Sequence, residues 1–162
     1  MKTLLSSILI CVSCVLLGQG DASDLKPSIR KNAFYLELGG NGFYYSVNYD
    51  RIFSISKIAH LSLRAGFAAS PEFGSGYNSY VVPLEANLLL GKENDFFELG
   101  VGKSIISERS NNSENISTFR LGYRYISDKG LMIRIGIVPF ILPLFGNDVV
   151  VIWGGLSVGF SF

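Results

Sequence analysis

The side chains best equipped for chemistry in this 162-residue chain are few. One histidine, His60, stands two residues before Ser62, a spacing that on an extended strand puts an imidazole and a hydroxyl on the same face. Such a pair is the minimum for a base-activated nucleophile, given a carboxylate to orient the base. A second group is ionic: Glu37, Asp50, Glu85 and Glu98 recur with Arg64, Arg120, Arg124 and Arg134 in segments otherwise rich in Leu, Ile, Val and Phe. No phosphate-cradling glycine loop and no metal-ligand spacing occurs, so no cofactor and no metal is expected. The formal net charge is +1, without the basic excess that nucleic acid would require.

Residues 1–22 have to be set apart before these groups can be placed. Met1 and Lys2, an apolar run over 4–17, and the small residues Gly18, Gly20 and Ala22 have the three-part layout of a secretory signal. The run is shorter than the about 20 apolar residues of a spanning helix, which argues against an uncleaved anchor. Cys11 and Cys14 both lie within it, so cleavage after Gly20 or Ala22 leaves a mature chain without a thiol. Ser13 before Cys14 faintly suggests a lipoprotein site, but Cys11 stands where such sites usually carry Leu.

Beyond residue 32 the hydrophobic residues alternate with period two, between clusters of Gly, Asn, Asp, Ser and Pro. The pattern predicts strands over 33–39, 43–52, 59–68, 80–90, 96–105, 118–126, 131–141 and 149–162. Short connections at 53–58, 91–95 and 127–130 would share one end, with longer ones at 69–79, 107–117 and 142–148 and a tight Gly40-Asn41-Gly42 turn at the other. An even number of strands, with short turns opposite longer loops, is the layout of a bacterial outer-membrane barrel whose chain ends are both periplasmic. On this reading 23–32 is a periplasmic N-terminal segment and 33–162 an all-β, eight-stranded antiparallel transmembrane up-and-down barrel.

Residue types decide which face is outside. Phe119, Leu121, Tyr123 and Tyr125 oppose Arg120, Gly122 and Arg124, while Leu131, Ile133, Ile135 and Ile137 oppose Arg134 and Gly136. In the last strand Ile152, Leu156, Val158, Phe160 and Phe162 oppose Gly155, Ser157, Gly159 and Ser161. If the apolar face meets lipid, the eight ionic residues named above line the lumen as four charges of each sign, a balance that burial demands. Aromatic girdles are expected from Phe34, Tyr49, Phe97, Tyr125 and Phe160 at one end and Phe43, Phe67, Tyr80 and Phe140 at the other. The opposite assignment, with the aliphatic face inward, describes a secreted soluble barrel that binds an apolar ligand.

The signal, the eight strands and the final aromatic strand together resemble the small OmpA/OmpX-type outer-membrane barrels over residues 33–162. The stretch 34–51, with Gly-Gly-Asn-Gly at its centre, is similar to first hairpins of uncharacterised proteins of that class. The resemblance implies outer-membrane lipid as the surroundings and implies that Val158, Phe160 and Phe162 form the signal read by the barrel-assembly machinery. It implies a non-enzymatic protein with a structural or surface-interaction role, its extracellular partner unknown. An eight-stranded barrel is only wide enough for its own side chains, which leaves no wide channel.

The His60-x-Ser62 pair also resembles that of lipid A deacylases, small outer-membrane barrels that use a His and a Ser at this spacing with a Glu. Here the pair sits near the periplasmic start of its strand and faces the lumen, so the simpler expectation is a histidine bonded to a neighbour such as Glu37 or Glu85. The polar segment 107–117 is the expected contact surface or a solvated loop; the sequons at Asn111 and Asn115 are coincidental in a bacterial protein.

Overall fold

A strand that is apolar on one face and polar on the other exposes an edge as well as a face, and eight such strands remove their edges by closing on themselves. In the computed structural model, which describes residues 30–70, 79–108, 113–144 and 147–162, they do so. Strands β1 (Asn32–Gly39), β2 (Tyr45–Ser54), β3 (Ala59–Ser70), β4 (Ser79–Lys92), β5 (Asp95–Glu108), β6 (Ser113–Ile126), β7 (Leu131–Leu144) and β8 (Asn147–Ser161) form a closed barrel in chain order. Every neighbouring pair is antiparallel, and β1 meets β8 from Ala33↔Ser161 to Gly39↔Gly155. The expected signal over 1–22, most of the segment 23–32, Cys11, Cys14 and Asn111 lie outside the described residues.

Strand ends at the turn-poor side match the alternation closely, and those at the far side run further than expected. Much of 107–117 is not a loop: β5 and β6 continue through it and pair as far as Ser107↔Ser113. Ile106 and Ile116 explain the extension, since both point inward and are buried while Asn115 points out and is exposed. Likewise β7 and β8 pair through Pro143↔Asp148 to Leu144↔Asn147, within the segment 142–148 expected to be a loop.

The β1–β2 connection departs most. Gly40–Gly42 forms one 3-10 turn that folds into the barrel, with all three residues buried. Entry requires left-handed backbone at Gly39 (φ 72°) and Gly40 (φ 63°), and a Cβ on Gly40 would collide with the Glu37 carboxylate, so only glycine fits there. The backbone closes through Phe43 N–H donating to Gly40 O (3.1 Å) and Gly39 N–H donating to Tyr44 O (2.8 Å). β2 therefore begins at Tyr45 rather than at 43, and Phe43 itself takes φ 67°.

The outer face is aliphatic and aromatic: Leu36 is 59% exposed, Ile135 56%, Ile152 67% and Val158 50%. The lumen is layered. Next to the chain ends Ala33, Ile52, Leu89, Phe96, Ile126 and Met132 form a buried apolar cluster with Tyr35. Ala68, Val81, Ile106, Ile116, Val138 and Phe140 form a second, at the far end, with Phe43 packed against it. Phe43 and Phe140 stack at 5.2 Å inside the barrel and so are not part of an outer girdle; Phe140 shares the inward parity of Arg134 and Val138. Phe67 and Tyr80 do stack outside, at 5.7 Å, as do Phe34 and Phe162 at 6.0 Å.

Candidate functional site

Between the two apolar layers lies the charged one. Its carboxylates come from β1 (Glu37), β2 (Asp50), β4 (Glu85) and β5 (Glu98), and its guanidiniums from β3 (Arg64), β6 (Arg120, Arg124) and β7 (Arg134). All eight are buried, and they form one connected set. Arg134 pairs with Glu85, with Glu98 (2.6 Å) and more loosely with Glu37 (3.8 Å). Arg120 pairs with Glu37 (2.6 Å) and Glu85 (3.1 Å); Arg64 pairs with Glu37 and with Glu85 (3.5 Å). Arg124 joins Asp50 (2.8 Å) to Glu98 (2.7 Å). Because a guanidinium has five donors in a rigid fork, each arginine can serve acceptors on different strands, and the pairs cross the lumen rather than run along one wall.

Neutral groups complete the set. Asn48 Oδ1 accepts from Arg64 Nε (3.0 Å) and Nη2 (2.8 Å), and the Tyr35 hydroxyl accepts from Arg134 Nη1 (3.2 Å). The Arg64 and Arg134 guanidiniums lie 5.6 and 5.8 Å from the centre of the Tyr35 ring, close enough for cation–π attraction. The inward glycines supply room: a Cβ on Gly155 would come within 3.3 Å of both Arg120 Nη1 and Glu37 Oε1.

The inward turn caps this layer. Asn41 Nδ2 donates to Glu85 and to Thr118 Oγ1 (3.0 Å), Asn41 Oδ1 accepts from Arg120 Nη2 (3.3 Å), and its carbonyl accepts from the Ser104 hydroxyl (2.7 Å). One turn residue thereby reaches β4, β5 and β6, while the turn itself contacts the neighbouring β8 and, beyond it, β7. Sequence reasoning missed Asn41, because a residue between two glycines in a hairpin turn ordinarily faces water. Tyr35 and Asn48 were missed as well, although both share the parity of Glu37 and Asp50 and were findable by it.

The His60-x-Ser62 pair faces inward and is buried, but its members do not meet. His60 Nδ1 lies 3.2 Å from Ser54 Oγ and its ring packs edge-on to Phe96 at 5.5 Å; the expected partners Glu37 and Glu85 are both engaged by arginines instead. Ser62 donates to Asp50 Oδ1 (2.6 Å), not to His60. The hydroxyl is thus committed to an ion-paired carboxylate, and the imidazole belongs to the apolar layer.

No protein-family model matches the chain, and no curated protein matches it. Two solved structures do resemble it. Both are of Ail, the attachment invasion locus protein of Yersinia pestis. One is 13% identical with a TM-score of 0.48 and covers 83% of this chain and 99% of its own. The other, in complex with the heparin analogue sucrose octasulfate, is 14% identical with a TM-score of 0.39 and covers 82% and 97%.

On the outer wall, Val158, Phe160 and the terminal Phe162 are exposed side by side, Phe160 next to Phe34 across the β1–β8 seam. Val158 and Phe160 lie on β8, the strand that closes the barrel against β1, and Phe162 follows its end.

Proposed function

We propose that this protein is a non-enzymatic outer-membrane barrel with a structural or surface-interaction role, its lumen closed by Arg–carboxylate pairs. One observation carries the proposal: the molecule is inside-out. Arg124, Arg134, Glu37 and Glu98 are completely buried, whereas Leu36, Ile135 and Val158 are half-exposed or more. Monomeric water-soluble proteins rarely leave more than a few hundred Å² of contiguous apolar surface in water. Lipid makes the same belt favourable, and a closed barrel leaves no unpaired backbone in it. The same distribution speaks against a secreted soluble barrel with an apolar lumen, since ion pairs fill the space a ligand would take.

The remaining parts of the reading follow from position. The 1–22 segment acts as a cleaved secretory signal, and both chain ends face the periplasm. Val158, Phe160 and Phe162 present the assembly signal on the last strand. Contacts with a partner fall to the far-side hairpins, β5–β6 foremost, whose Ser113, Glu114 and Asn115 are exposed. Catalysis has no support in the His60–Ser62 geometry, so a lipid A profile unaltered by His60→Ala is expected.

The test is membrane fractionation of cells expressing the full chain, followed by denaturing gels with and without boiling. A band in the outer-membrane fraction whose mobility changes on boiling supports the proposal. A soluble protein without a mobility change overturns it.

A further inference from the structure

Charge outside the lumen is distributed unevenly between the two ends. Arg30, Lys31, Arg51, Lys57, Lys92 and Lys129 stand at the end with the short β2–β3, β4–β5 and β6–β7 turns, against Glu93, Asp95 and Asp128. Among the described residues, the strand ends on the far side carry Glu108, Glu114 and Asp148 against Lys103. The excess of cations is further concentrated around β1, β2 and the turn into β3. Lys92 and Lys129 have carboxylates within three residues in the chain, whereas the only carboxylates among residues 30–63 are Glu37 and Asp50, both buried in the lumen.

Arg51 stands at the centre of this sector. It is exposed and points outward from β2, between Tyr49 and Phe53 on the apolar wall. Its guanidinium lies 5.6 Å from the centre of the Phe53 ring, and Nη1 reaches Asn32 Oδ1 at 3.4 Å. Among the described residues it forms no ion pair, although every lumen arginine forms at least two. Asn32 also accepts from the Tyr49 hydroxyl (2.8 Å), which fixes a polar step at the base of an aromatic wall. A cation held on the outer wall by an aromatic ring, with exposed Lys31 beside it in β1–β2 register and exposed Lys57 in the following turn, offers donors that an external anion can take.

We infer that this sector binds the phosphate headgroup of anionic phospholipid in the periplasmic leaflet, with Arg51 as the principal contact and Lys31 and Lys57 adding attraction. The inference rests on the outer-membrane reading above. Tyr49, Phe34 and Phe53 would lie along the acyl chains where these meet the headgroup, and the unpaired donors of Arg51 match phosphate oxygens.

The test uses the mature chain in phosphatidylcholine vesicles doped with spin-labelled phosphatidylglycerol or spin-labelled phosphatidylcholine, reading the motion-restricted lipid by electron paramagnetic resonance. Phosphatidylglycerol should be selected over phosphatidylcholine, and R51Q should weaken that selection about five-fold, the factor equivalent to about 1 kcal/mol per basic residue at an anionic surface. Adding K31Q and K57Q should remove it, and K103Q, at the far end, should leave it intact. Equal selection by wild type and the triple variant overturns the inference while the membrane reading stands. A complete lack of motion-restricted lipid with wild type overturns the membrane reading and takes the inference with it.

Discussion

Arg134 carries more of the lumen than any other side chain, pairing with three carboxylates and donating to Tyr35 and Asn87. Its removal leaves Glu98 with Arg124 and Glu85 with Arg120 and Arg64, so four buried carboxylates face three arginines. Breaking a buried ion pair by deleting one partner costs about 3–5 kcal/mol, because the surviving charge keeps its desolvation penalty. Arg134→Met should lower stability by about that much, measured by reversible urea unfolding in lipid vesicles; a loss below about 1 kcal/mol would mean the network is not holding the barrel. The placement of Arg134 was legible in the sequence, because a strand with period two commits Arg120, Arg124 and Arg134 to one face as soon as Leu121 and Ile135 are committed to the other. Its partners were not legible. Which arginine meets which carboxylate depends on register around the whole barrel, and the local pattern of one strand contains no register. His60 shows the same limit: parity put it inside, but only the β2–β3 register put it beside Ser54.

The β1–β2 turn and the long hairpins opposite are the elements that sequence described least well. A turn of two glycines around an asparagine reads as a solvated hairpin, yet here it plugs the lumen, because Glu85, Arg120, Thr118 and Ser104 together satisfy Asn41. Gly40→Val should destabilise by about 2 kcal/mol or more, from a left-handed backbone and contact with Glu37, in the same urea assay. The far-side hairpins were misread for a different reason. Above a membrane belt a strand meets water on its outer face, so Ser113, Asn115 and Ser117 look like a loop although Ile116 and Thr118 keep the inward rhythm. The belt itself predicts a contrast along one barrel wall. Ile135→Arg, on the lipid face of β7, should cost about 2–4 kcal/mol if it lies near the bilayer midplane. Asn115→Arg, on the protruding part of β6, should stay within about 0.5 kcal/mol of wild type.

Across the barrel, the described residues place apolar layers at both ends and an ion-paired layer between them, an arrangement that fills the lumen with side chains. Planar-bilayer recordings should therefore give no stable single-channel steps; regular steps from the folded protein would refute the closed lumen. The chain announced the number of strands and their faces, since those follow from alternation and turn chemistry alone. The apolar end layers went unread because Ile52, Leu89, Phe96 and Val81 sit on the polar parity, and a face labelled polar by its charges hides them. If the aliphatic face of this barrel meets lipid and the charged face meets itself, β7 shows it most directly. Spin labels placed singly at Ile133, Ile135 and Ile137, and at Met132, Gly136 and Val138, can be read in vesicles by collision with oxygen and with a water-soluble nickel chelate. The three isoleucine positions should show high oxygen and low nickel accessibility, and the other three low accessibility to both reagents. High nickel accessibility at the isoleucine positions would contradict a lipid-facing aliphatic wall.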